Sequence, residues 1–136
     1  MITAKSSFPV FIVDSIHLSK EFYTKNFNFN VVFENEWYIH FVSDSGIQIG
    51  FMLPEQETQP QMFQNAFKGS GVIFSLEVEN AEDAYKEAKS SSLSIVLDLR
   101  KEDWGQYHFC IKDPNGIYLD IIQTFVPTPE YEESYV

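Results

Sequence analysis

Hydrophobic and polar residues alternate most regularly between Gly71 and Glu79. Val72, Phe74, Leu76 and Val78 fall on one face there, and Ile73, Ser75, Glu77 and Glu79 on the other, the period-2 pattern of a half-buried strand. Asn80 can then cap a helix, Glu82 and Asp83 place acids in its first turn, and Lys86 and Lys89 lie toward its end, as the helix dipole favours. The helix is expected to run to about Lys89, where Ser90, Ser91 and Ser92 break it. Three strands follow, near Ser94 to Leu99, Tyr107 to Lys112 and Ile117 to Gln123, the last two joined by the turn residues Asp113, Pro114, Asn115 and Gly116. The order is β-α-β-β-β.

The first half repeats it. Phe8 to Val13 reads as a strand, Asp14 or Ser15 can cap a helix carrying Leu18, Phe22 and Tyr23, and Asn28 to Glu34, Trp37 to Ser43 and Ile47 to Leu53 read as strands. Tyr23 aligns with Tyr85, His40 with His108 and Gly46 with Gly116, the offset growing only where turns lengthen. Two copies are too few for a stacked solenoid, so the halves are expected to pair about a pseudo-twofold axis. The expected fold class is α+β: two tandem βαβββ modules whose curved mixed sheets surround a cleft, with helices on the outer face. The modules span residues 1–53 and 71–125 of one structural domain. Residues 54–70 form a polar connector in which Met62, Phe63, Ala66 and Phe67 stand at helical spacing and predict a short packed helix. Residues 126–136, with two prolines and three glutamates, are expected to be a mobile acidic tail or an arm laid on a partner.

Composition narrows the picture. The 136 residues suit a single domain, and 44% hydrophobic content with 13 Phe and 7 Tyr supplies a β-rich core. Cys110 is the only cysteine, so neither an intramolecular disulfide nor a CxxC or zinc-ribbon motif can form. That usage fits a reducing compartment. No stretch approaches a membrane span, and the first residues show no signal-peptide pattern, so a cytoplasmic protein without membrane contact is expected. Twenty acidic against nine basic residues give a net charge of -11, which repels phosphate backbones and excludes nucleic acid as a partner while permitting a cationic ligand.

Helices must cover one face of each sheet, leaving the other free. Ile47, Ile49 and Phe51 match Ile117, Leu119 and Ile121 as helix-facing, so Gln48, Gly50 and Met52 match Tyr118, Asp120 and Ile122 on the free face. His40, Ser75, Glu77, His108 and Cys110 join them by parity, among apolar Phe8, Val10 and Ile12. An apolar lining with a few polar groups suits a small molecule. His40 and His108 read either as general bases or as hydrogen-bonded structural histidines, and Glu77 as a base or an exposed strand end. Cys110 reads as a buried filler. Trp37 and Trp104 precede the third strand of each module and, with Tyr38, Tyr107 and Tyr118, offer flat walls for planar or cationic ligands. No Ser-His-Asp spacing, phosphate loop or nucleotide fingerprint is present.

The run from Trp104 to Asp120, with His108 and Phe109 ahead of Asp113, Pro114, Asn115 and Gly116, resembles the closing hairpin of the vicinal oxygen chelate superfamily. Phe22 and Tyr23, followed by Asn26 to Val32, resemble its first helix and the exit into the second strand. That superfamily includes glyoxalase I, ring-cleaving dioxygenases, and fosfomycin- and bleomycin-resistance proteins. In metal-dependent members a divalent ion is held from the first and fourth strands of both modules. The resemblance carries those positions onto Phe8, Gly50, Ile73 and Asp120, three of which have no ligating side chain. No metal and no cofactor are therefore expected. The character is nearest the metal-free bleomycin-resistance branch, a small-molecule binder that sequesters a toxic or cationic compound, in an antibiotic-resistance role, rather than an enzyme. The alternatives are a metal-dependent lyase or dioxygenase, and a dimeric domain without a ligand. The expected ligand-binding residues are Trp37, His40, Gln48, Met52, Glu77, Trp104, His108, Tyr118 and Asp120, and the resemblance also implies a homodimer.

Overall fold

The computed structural model describes residues 1–135. Contacts divide the chain into two compact units, the first ending at Lys68 and the second beginning at Gly69.

In the first unit, β1 (Val10–Ile12) leads into α1 (Ile16–Phe27), then β2 (Asn30–Glu34), β3 (Tyr38–Val42) and β4 (Gln48–Met52). Of the two possible caps it is Ser15 that starts α1, its Oγ accepting from the Leu18 N–H at 3.1 Å, which stabilises a helix by about 1 kcal/mol. Asn28 ends the helix in the left-handed conformation, φ 54°, one that asparagine tolerates better than most residues. The sheet order is β1-β4-β3-β2, with β1 and β4 parallel and the other pairs antiparallel. Tyr23 of α1 is fully buried against Phe51, ring centroids 5.0 Å apart, and near Phe29 and Phe41. Ile39, Phe41, Ile49 and Phe51 therefore form the helix-covered face, as parity predicts for Ile49 and Phe51.

The second unit repeats the order with β5 (Ile73–Glu77), α2 (Ala81–Ser90), β6 (Ser94–Glu102), β7 (Gln106–Lys112) and β8 (Tyr118–Thr124), and adds α3 (Pro129–Glu132). Its sheet order, β5-β8-β7-β6, matches that of the first. Asn80 caps α2, its Oδ1 accepting from the Asp83 N–H at 2.9 Å. Ala81 and Ala88 are buried, and Tyr85 packs on Phe109 at 5.2 Å. In the β7–β8 turn, Asp113 Oδ1 accepts from the N–H groups of Asn115 and Ile117 at 2.9 and 2.8 Å, and Gly116 takes φ 87°, open to glycine at no steric cost. The architecture is thus α+β, with two four-stranded mixed sheets in repeated modules.

Three expectations change. The connector does form a short helix, the single 3-10 turn Gln61–Phe63, but that turn is not packed. Pro60 offers no side-chain cap, and Gln64 Nε2 instead donates to the carbonyls of Gln56 and Gln59. Met62 and Phe63 are exposed, and Phe67 alone of the apolar set packs on a ring, that of Phe11, while its N–H bonds to the Ile12 carbonyl at 2.7 Å. Strand β6 runs on to Glu102 instead of stopping near Leu99, with irregular register between Ile95 and Arg100. The described part of the C-terminal segment folds back on the β6–β7 turn of its own unit. The Phe125 N–H bonds to the Gly105 carbonyl at 2.8 Å, the Thr128 N–H to the Asp103 carbonyl at 3.0 Å, and the Tyr135 hydroxyl to the Trp104 carbonyl. Val136 lies outside the described residues. Among the described residues no helix is long and apolar enough to cross a membrane.

Candidate functional site

Each sheet carries a histidine on the face away from its helix, but not at matching positions as the sequence spacing predicts: His40 pairs with Gly50 and His108 with Ile122, so His108 corresponds to Tyr38 and His40 to Cys110. In the first unit His40 stands beside Gly50 in the β3–β4 ladder, and Gly50 is also the register partner of Val10. The side-chain amide oxygen of Gln48, Oε1, lies 2.8 Å from His40 Nε2, and the Tyr38 hydroxyl 2.8 Å from Nδ1. An amide oxygen only accepts, so Nε2 carries the proton and Nδ1 accepts from the phenol. Burial pushes the Tyr38 hydroxyl above its ordinary 10.0, keeping it a donor. The Phe8 ring meets His40 edge-on at 4.6 Å. Tyr38 reaches its position across Gly50, where a Cβ would collide with the phenol oxygen.

In the second unit His108, 7% exposed, has carboxylates at both nitrogens. Asp120 Oδ1 is 2.7 Å from Nδ1, and Glu102 Oε2 is 2.9 Å from Nε2. Arg100 closes the row, its Nε and Nη2 each 2.9 Å from the same Glu102 oxygen. Burial by itself disfavours the imidazolium, but the hydrogen bonds and charges of Glu102 and Asp120 outweigh it and raise the His108 pKa above 6.5. The hydrogen bond from His108, ahead of a smaller opposing effect of burial and the help of Arg100, holds Glu102 below 4.5. Burial, with Asp120 opposite, pushes the Cys110 thiol up and leaves it an unreactive neutral group.

The sequence-derived residues gather into two clusters and several outliers. His40 and Gln48 meet with Tyr38, while His108 and Asp120 meet with Glu102 and Arg100. Met52 is buried in register with Tyr38. Trp37 is half-buried just before β3, edge-on to Tyr38 at 6.2 Å. Glu77 is exposed on the row that runs through Ile122 and His108 to Arg100. Tyr118 lies under Lys112 Nζ at 5.7 Å. Trp104 sits in the β6–β7 turn, where Tyr131 of α3 packs edge-on against it at 6.2 Å. Arg100 and Glu102 escaped the sequence reading because their strand was expected to end before them. Their spacing of two residues, which puts both on one face of a strand, was the available signal.

A family sequence model described as the glyoxalase/bleomycin resistance protein/dioxygenase superfamily matches residues 7–121. The chain belongs to that superfamily. No curated protein matches it. Similar solved structures include a member of the superfamily from Sphaerobacter thermophilus, with 19% identity, TM-score 0.72, and coverage of 90% of this chain and 99% of that one. Another is a glyoxalase/bleomycin resistance protein/dioxygenase from Nocardioides, with 13% identity, TM-score 0.74, and coverage of 92% and 87%. A third is a lactoylglutathione lyase from Agrobacterium tumefaciens, with 12% identity, TM-score 0.71, and coverage of 88% and 94%. At these identities the likeness is one of fold.

The divalent ion of metal-dependent superfamily members finds a poor donor set here. Phe8 and Ile73 are hydrocarbon, Gly50 has no side chain, and the Asp120 carboxylate is bonded to His108. The residues in register beside Gly50 and Asp120 are Val10 and Ser75, which add at most one weak hydroxyl donor. The residues present do not fit the ion.

Proposed function

We propose that this superfamily member is a metal-independent small-molecule binder of the bleomycin-resistance kind, which holds and thereby sequesters a cationic or aromatic compound on the sheet faces opposite its helices. One observation carries the reading: at the four strand positions that would hold a metal, the only carboxylate is Asp120, and His108 already engages it. What remains is suited to recognition. Phe8, Tyr38 and His40 give the first unit an aromatic face, and Glu77, Glu102 and Asp120 give the second a row of carboxylates. A cation over an aromatic ring contributes about 0.5–2 kcal/mol, and a desolvated, hydrogen-bonded charge pair contributes more. Because His108 compensates Asp120, Glu77 is the carboxylate on this face with no ion-pair or hydrogen-bond partner among the described residues, and it takes over as anchor for the cation.

The same reading places the protein in the cytoplasm as a homodimer. Support for a dimer comes from edge strand β2, where Val31, Val32 and Phe33 are 36%, 59% and 54% exposed, an apolar edge of the kind that proteins normally cover.

Melting temperature in the presence of planar cations and bleomycin-like compounds tests the reading, with elemental analysis of gently purified protein alongside. A ligand that raises the melting temperature of the wild type but not of Glu77→Gln supports it. About one transition metal per chain, or no response across the screen, counts against it and favours a metal-dependent lyase or dioxygenase in the first case and a ligand-free dimeric domain in the second.

A further inference from the structure

A neutral imidazole has one proton for two nitrogens. His108 faces a carboxylate at each, so both contacts are hydrogen bonds only while the ring is protonated. Once the proton leaves, one carboxylate must face a lone pair. The two carboxylates are not equivalent in what they would lose. Glu102 keeps two bonds from Arg100, whereas Asp120 has His108 as its only hydrogen-bond partner among the described residues. Leaving a half-buried carboxylate unpaired is the costlier outcome, so the contact to Glu102 is the one that gives way.

We propose that Glu102 is a displaceable cap on Nε2 of His108. While the imidazolium persists, Arg100, Glu102, His108 and Asp120 form a closed row of alternating charge with no net charge. After the proton passes to solvent, the ring keeps its Nδ1–H on Asp120, Glu102 stays with Arg100 alone, and the bare Nε2 becomes an acceptor on a row that now carries one negative charge. The other groups on the same sheet face are Gln106, Cys110 and Lys112 on β7, Tyr118 on β8, and Ser75 and Glu77 on β5. Glu77 adds negative charge at one end of the face, and Lys112, its Nζ over the Tyr118 ring, opposes it with a positive charge two register pairs away from His108.

The opened row fits a cation with N–H donors, a protonated amine, which would give a proton-bearing edge to Nε2 and its charge to the carboxylates. This assignment rests on the binding reading above and makes capture stronger as His108 loses its proton. Arg100 and Glu102 act through His108 and are positioning residues.

The test is nitrogen NMR of the imidazole across pH, on the full chain without ligand. The wild type should titrate to an Nδ1–H tautomer with Nε2 unprotonated. Glu102→Gln should move the His108 midpoint down while keeping that tautomer. Arg100→Gln, at an exposed side chain, removes the second partner of Glu102 and should yield a mixture of Nδ1–H and Nε2–H forms. A wild-type Nε2–H tautomer, or an unchanged tautomer ratio in Arg100→Gln, overturns the cap. Because no ligand is present, this outcome is separate from that of the ligand screen.

Discussion

His108 donates to Asp120 across 2.7 Å, whereas His40, one cross-strand pair away from the equivalent place in the first module, is held by Tyr38 and Gln48 at 2.8 Å. The same sheet face thus carries two carboxylates and a guanidinium around its histidine in one unit and a phenol and an amide in the other.

The His108 row makes stability depend on pH. The folded-state pKa is raised, so its contribution is fully present below the unfolded value of about 6.5 and is lost as pH rises through the folded pKa. Glu102 is lowered, so its contribution is present above the unfolded value near 4.5 and is lost as pH falls through the folded one. Urea midpoints should therefore be highest between these limits. His108→Asn should remove the decline on the alkaline side, and a decline that persists in the variant would assign it to another group.

Gly50→Ala should separate Tyr38 from His40. The added Cβ meets the phenol oxygen and lies 3.3 Å from Val10 Cγ2, and overpacking of this kind costs about 1–3 kcal/mol. Tyr38→Phe loses the hydrogen bond without the collision, at about 1 kcal/mol. If Gly50→Ala matches the wild type in stability and in its His40 imidazole spectrum, the close approach at Gly50 has no consequence.

The C-terminal segment should govern the Trp104 environment. Tyr131 packs on the indole, and Phe125, Thr128 and Tyr135 bond to the carbonyls of Gly105, Asp103 and Trp104. A chain ending at Phe125 should show Trp emission shifted to the red and faster hydrogen exchange in the β6–β7 turn, while Trp37→Phe in the full chain preserves the Trp104 signal. An unchanged spectrum in the shortened chain would mean that the segment does not dock in solution.

Phe51→Ala should be among the most damaging substitutions in the first unit. Phe51 is fully buried and meets Tyr23, Phe41 and Phe11, and truncating such a ring costs about 3–5 kcal/mol. Chemical denaturation measures it directly. Val32→Ala on the exposed strand β2 should cost far less.

Local pattern determined the elements. Alternation, caps at Ser15 and Asn80, and the turn at Asp113 to Gly116 are short-range physics, so the repeated module, the helix-covered faces and the shared face of His40 and Gln48, and of His108 and Asp120, were legible in order and parity. Only the tertiary structure decided what touches what. The partnership of Glu102 and Arg100 with His108 depends on β6 continuing past Leu99 through irregular register to lie along β7, and no local period encodes that pairing. Tyr131 of the C-terminal segment packs on Trp104, a contact between residues 27 apart that follows from the chain folding back and not from any spacing. Charge shows the difference most plainly: the sequence supplies Asp120 as an anion, but whether it is free to hold a cation depends on an imidazole that the β7–β8 register brings within 2.7 Å.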